Sequence, residues 1–131
     1  MIDAPAILRG FLLSKTALTA LTGTRIWAER FNPPDGYVPS EGSAIAFRAR
    51  GGNVDYSRAL LHNSWQFKCY GLDEGAANAL YRTLFNVLDG AQGGGLHSAL
   101  LEITGQTLRE PTTNWPYVLC FFETWMLAQA A

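Results

Sequence analysis

The chain has 131 residues, of which 48% are apolar and 16% charged, with ten Lys and Arg against eleven Asp and Glu for a net charge of -1. That length suits one domain around one core, and the composition is that of a folding chain, far from the low hydrophobicity of disordered sequences. The balanced charge, with no basic block and no acidic tail, removes the electrostatic footprint of a sequence-independent nucleic-acid binder; only Arg48 and Arg50 form an evident same-face basic pair.

The opening "MIDAPAILRGFLLSKTALTA" carries Asp3, Arg9 and Lys15 inside its apolar pattern, which makes a poor secretory signal. No segment reaches the ~18 uninterrupted apolar residues that span a bilayer, so a soluble, cytosolic chain is expected. Asp3 predicts the cap of a helix over residues 4–22, with Pro5 tolerated in the first turn. Ile7, Leu8, Phe11, Leu12, Leu18 and Leu21 share its apolar face, Arg9, Lys15 and Thr16 lie away from it, and Gly23 ends it.

"TRIWAERF" then alternates as a short strand, and "NPPDGYVPSEG" over residues 32–42 is a loop because Pro donates no ladder hydrogen bond. "SAIAFRARGG" reads as a strand with Ile45 and Phe47 on one face and Ala46, Arg48 and Arg50 on the other. "NVDYSRALLHN" is ambiguous, a hairpin tip being one reading, and leads into the strand "SWQFKCYG". Asp73 caps a second helix, onto whose Ala77 Leu72 is expected to staple, and Ala77, Leu80, Tyr81, Leu84 and Leu88 form its apolar stripe. After it come "ALLEITGQTLRE", a strand with an expected bulge at Gly105, and "WPYVLCFFETWML". The last is apolar on both faces, which predicts a central strand with helices on one side and another subunit or helix on the other.

The order helix, strand, strand, strand, helix, strand, strand predicts an α+β fold: a two-layer sandwich, largely antiparallel and four- to five-stranded, with two helices packed on one face. Residues 1–131 are expected to form a single domain.

No candidate chemistry assembles along the chain. A phosphate loop needs glycines after a strand and before a helix, whereas Gly90 and Gly93 to Gly95 follow a helix C-terminus, whose carbonyls repel anions. Gly90 reads as a left-handed helix stop and the glycine run as a mobile joint that orders against a neighbouring subunit. His62 and His97 have no ligand partners at metal spacing, and are expected to be solvated or locally hydrogen-bonded. Cys69 and Cys120 lack CxxC spacing and read as buried, reduced thiols. Asp73 beside Glu74 is accounted for by a helix start. No catalytic, cofactor-binding or metal residue is assigned, and no enzyme is predicted. The aromatic supply stands out: four Trp, five Tyr and seven Phe, with Trp115, Tyr117, Phe121, Phe122 and Trp125 concentrated near the C-terminus. Part of it fills the core and part suits a subunit interface.

The helix followed by "ALTGTRIW", the Pro-rich loop, "SWQFKCYGLDEGAANALYRTLFNVLDG" and the closing "EPTTNWPYVLCFFETW" together resemble the tail terminator proteins of long-tailed bacteriophages, also called tail completion or tail-to-head joining proteins. The resemblance spans nearly the whole chain. It implies a non-catalytic ring, commonly a hexamer, that caps the tail tube, stops its polymerisation and presents a surface to the head completion or connector protein. The partners implied are further copies of the chain, the major tail tube protein and the connector, with no membrane and no direct nucleic-acid contact, although DNA passes through the ring lumen. The place implied is the virion tail, with host cytoplasm during assembly. Loop residues Asp35, Tyr37, Arg48, Arg50, Asp55, Tyr56 and Arg58 are the expected polar contacts. A neck or minor tail protein docking to the connector, and a small ligand-binding α+β domain, remain as alternatives.

Overall fold

A computed structural model describes residues 1–56 and 58–128. In chain order the elements are α1 (Ala4–Leu13), α2 (Thr16–Thr22), β1 (Ile26–Ala28), a 3-10 turn (Pro39–Glu41), β2 (Ala44–Val54), β3 (Leu60–Tyr70), α3 (Glu74–Leu88), β4 (Leu96–Arg109) and β5 (Pro116–Leu127). The strands make one five-stranded sheet in the order β1-β2-β3-β5-β4, antiparallel except for β1 against β2. This is the expected α+β sandwich. No helix among the described residues is long and apolar enough to cross a membrane.

The expected single first helix is two. Ser14 ends α1 by donating its hydroxyl to the Phe11 carbonyl at 2.6 Å, and Lys15 is extended, with its ammonium 4.7 Å from the Phe11 ring. The bend turns Leu18 fully into the core and leaves Leu21 38% exposed, so Leu21 does not share the apolar face assigned to it. The expected strand after Gly23 is also shorter. Glu29 takes a positive φ of 58° and sends its carboxylate to the Ala49 N–H at 3.3 Å, so β1 stops at Ala28.

Asp73 caps α3 as its side chain predicts, accepting from the Ala76 N–H at 2.7 Å. Leu72 is 67% exposed, however, and makes no staple. Ala77, Leu80, Leu84 and Leu88 bury the α3 stripe against the sheet together with Leu8 and Leu12 of α1. From the sheet, Phe47, Trp65, Phe67, Cys120 and Phe122 meet them. Both cysteines are free and buried; the Cys69 thiol is held well above its usual range by a hydrogen bond with the Cys120 thiol and by burial. Within this core the Trp65 indole donates to the Thr124 hydroxyl at 2.7 Å, so two buried polar groups satisfy each other.

β4 enters the sheet at its edge, and β5 returns between β4 and β3. The bulge expected at Gly105 is present, as the β4–β5 register shifts between Ile103 and Gln106. Its cause is close approach: a Cβ on Gly105 would lie 2.6 Å from Val118 Cγ1 and 2.8 Å from the Tyr81 ring. Tyr81 closes the gap by accepting from the Gly105 N–H at 2.9 Å.

Candidate assembly surface

Alternation along β5 divides the sheet into two faces. Val118, Cys120, Phe122 and Met126 point to the helices, whereas Tyr117, Leu119, Phe121, Glu123 and Trp125 point outward and are only half-buried. The outward face was expected to meet a second layer, and the chain itself supplies part of one. Loop 32–42 folds back over the end of the sheet where β2 begins, and Tyr37, 5% exposed, is its anchor. Its ring packs edge-on against Trp27 at 5.3 Å, Trp115 at 5.8 Å and Tyr70 at 6.4 Å, and its hydroxyl donates to Gly42 O at 2.7 Å.

Under the same loop lies a buried cation. Lys68 is 2% exposed on the outward face of β3 and donates to Glu110 Oε1 at 2.6 Å and to Asn32 Oδ1 at 3.1 Å. The rings of Phe31 and Tyr117 stand 4.3 and 4.6 Å from its nitrogen. Tyr70 donates its hydroxyl to the same Glu110 oxygen at 2.6 Å. Burial alone raises the Glu110 pKa, but the hydrogen bonds from Lys68 and Tyr70 and the Lys68 charge outweigh it, so the carboxyl sits below its ordinary value of 4.5. Burial pushes Tyr37 up to about 12, against the opposing charge of Arg25 and with a smaller upward contribution from Glu41. Tyr70 is raised by burial and then by its bond to Glu110, and Tyr117 by burial and then by the Glu110 charge.

The contact residues expected from sequence fall into three places. Tyr37 is turned inward, and its side chain holds the loop to the sheet. Asp35 is exposed on the rim of a cleft of about 290 Å³ between this loop and the β4–β5 turn, lined also by Trp115 and Thr112. Arg48 and Arg50 lie together on the exposed arm of β2, each guanidinium 4.3 Å from an aromatic ring, Phe31 and Phe121 respectively. Asp55 shapes the β2–β3 turn, accepting from the Ala59 and Leu60 N–H groups at 2.8 and 3.1 Å. Tyr56 projects from that turn, fully exposed at 104%, and Arg58 beside it is exposed with a φ of 64°. The ambiguous segment is therefore a hairpin tip between β2 and β3, with Ser57 outside the described residues.

The glycine run after α3 precedes a strand, so the phosphate-loop order is absent here as in the sequence. Gly90 takes the left-handed φ of 76°. The run is a closed turn: Gly93 N–H donates to Leu96 O at 2.8 Å and Leu96 N–H to Gly93 O at 2.9 Å. Gly93, Gly94 and Gly95 have φ of 105°, 60° and 93°, and a Cβ on Gly95 would stand 2.9 Å from Ile7 Cγ2. Among the described residues no group of three or more His, Cys, Asp or Glu could hold a metal ion. His62 stacks on Trp125 at 4.9 Å with its Nε2 3.5 Å from a Glu123 oxygen, on the outward face.

Sequence reasoning missed Lys68 and Glu110. The signal was a lysine inside an apolar strand run and a glutamate just before Pro111, 42 positions away.

No protein-family model and no curated protein matches this chain. Solved structures do. A chain of the virion of a native gene transfer agent particle superposes with a TM-score of 0.68 over 94% of this chain and 93% of its own length, at 16% identity. A second solved chain, with no stated role, superposes with a TM-score of 0.50 over 96% of both chains at 11% identity. At such identities the likeness is one of fold, and it runs through nearly the whole chain.

Proposed function

We propose that this protein is a structural component of a phage-like virion, and that within it the chain acts as the tail terminator: a ring, commonly a hexamer, that caps the tail tube, stops its growth and joins it to the head connector. The observation that carries this reading is the full-length likeness to a chain of a gene transfer agent virion. Two features of the molecule support it. The outward face of β5 presents half-buried Phe121, Leu119 and Trp125 beside exposed Leu100 and Ile103, more apolar surface than a solitary small domain needs to leave open. Loop 32–42, anchored by Tyr37 and Lys68, gives that face a rigid border.

The mechanism is physical. Many modest contacts, repeated by ring symmetry, would hold the cap on the tube end. Its far side would lack the surface on which the next tube ring grows. No step needs a nucleophile or a metal, and the protein is read as non-enzymatic.

Electron microscopy of tail tubes mixed with the purified protein, alongside light scattering of the protein alone, tests this. Rings at tube ends and tubes of arrested length are expected. A protein that binds neither tube nor connector would overturn the reading, and one that binds only connector would make it a neck protein. The cleft beside Asp35 favours the ligand-binding alternative; a metabolite screen that raises the melting temperature through that cleft would revive it.

A further inference from the structure

The lateral flanks of the sheet differ, and they are complementary. One flank is the arm of β2 beyond the short β1 pairing, and the other is β4. Strand pairing runs in rows across the sheet. Val54, Leu61, Met126 and Leu96 form one row, and Arg48, Gln66, Phe121 and Ile103 form another. On the first row, the hairpin tip with its fully exposed Tyr56 stands at one flank. At the same level on the other flank is a mouth of about 250 Å³, lined by Gly95, Leu96, His97 and Leu127. Near the second row, exposed Arg48 and Arg50 on β2 match the level of exposed Glu102 on β4. The Ser64 hydroxyl donates to Glu102 at 2.6 Å and holds it on the outward face.

Neither flank is suited to adding a strand. On β2, Phe47 O accepts from the Arg30 N–H and Ala49 N–H donates to Glu29. On β4, Ala99 O accepts from the Gly90 N–H, Leu101 N–H donates to Asp89 and Gly105 N–H to Tyr81. Register shifts interrupt β4 at three places as well. Side chains, and not a continuous hydrogen-bond ladder, must therefore make any contact here.

We infer that the two flanks are the two sides of one head-to-tail contact between copies of this chain. Tyr56 of one copy enters the mouth at Gly95 and Leu127 of the next, while Arg48 and Arg50 swing off the Phe31 and Phe121 rings to meet a Glu102 released from Ser64. A tyrosine brings a large, stiff apolar surface with a polar tip, which suits a mouth lined by Leu96 and Leu127. Because knob and socket are different surfaces of one molecule, the contact is heterologous, and copies close into a ring when the rotation per subunit fits. The inference rests on the assembly read above and names its subunit contact.

The test is light scattering at low salt and electron microscopy on tail-tube ends, with circular dichroism melting as the control for folding. Arg50→Glu, Glu102→Arg and Tyr56→Ser should each weaken association about tenfold or more without lowering the melting temperature, and Arg50→Glu combined with Glu102→Arg should restore it. A chain carrying Tyr56→Ser and Arg50→Ala, mixed with one carrying Glu102→Arg, should stop at dimers, since only one competent junction remains. Wild-type assembly that all these variants leave untouched would overturn the contact while the assembly reading stands. A wild-type chain that stays monomeric in solution and on tube ends would overturn both.

Discussion

At the end of the sheet where β2 begins, the outward face lies beneath loop 32–42, and Trp27, Tyr37, Tyr70 and Trp115 bury one another over the Lys68–Glu110 pair. At the other end of the same face, Phe121 and Trp125 are half-buried and Leu100 and Leu127 exposed, with Arg50 laid on Phe121 and His62 on Trp125 as their cover. The strands are continuous through both ends, so the difference lies in what the chain folds over them. Where the chain supplies its own second layer, polar groups are buried and satisfied internally. Where it does not, stacked Arg and His side chains keep the face soluble, and the surface remains open to another molecule.

The sharpest way to break this comparison uses neighbours on β5. Phe122→Ala should cost about 3–5 kcal/mol in urea unfolding, because its ring packs on Phe67 in the core, whereas Phe121→Ala should cost about 1 kcal/mol or less and act on assembly. Equal losses would mean that the outward face is not open.

Next comes the covered end. Glu110→Ala leaves Lys68 buried without its counter-charge, and about 3 kcal/mol is expected, the lower part of the range for buried pairs because the Glu110 side chain is 17% exposed. Replacing both, with Lys68→Met and Glu110→Gln, should restore much of the loss.

The same pair sets the acid response. With its folded pKa below 4.5, Glu110 contributes stability that is complete above that value and lost as pH falls through the folded pKa; Glu110→Gln should flatten the melting temperature in that window. On the alkaline side the sign reverses. Tyr37, neutral in the fold up to about 12 and ordinarily titrating at 10, contributes stability that declines between those values as the unfolded chain ionises first. Tyr37→Phe should make the alkaline decline shallower, with Tyr70 and Tyr117, also raised, supplying what is left.

Smaller effects sharpen the edges. Tyr81→Phe takes the partner from the Gly105 N–H at the β4 bulge and should cost about 1 kcal/mol. Asp73→Ala should cost about the same through the lost cap.

Much of this fold was legible in the sequence, because local rules govern it. Asp73 announces the start of α3, Ala77 to Leu88 its inner stripe, and the alternation of Trp65, Phe67 and Cys69 the inner face of β3. The misreadings have local causes that a periodicity count does not register: the Ser14 hydroxyl on the Phe11 carbonyl that splits the first helix, and the positive φ of Glu29 that ends β1. The candidate surface was less legible. Arg48, Arg50 and Tyr56 are exposed as a polar arm and a hairpin tip should be, but Tyr37, in the same loop as Asp35, proves to be an internal anchor. Nothing in a loop's composition says which of its residues turns back onto the sheet.

The sequence by itself determined which residues could form helices and strands and which of their faces are apolar, since these follow from spacing along the chain. It also excluded a phosphate loop, because glycine order relative to a helix is a linear property. The tertiary structure alone decided that β5 inserts between β3 and β4, that Lys68 meets Glu110 across 42 positions, and that loop 32–42 covers one end of the outward face and not the other. Those choices depend on which distant surfaces can be buried together with their polar groups satisfied, a condition set in three dimensions.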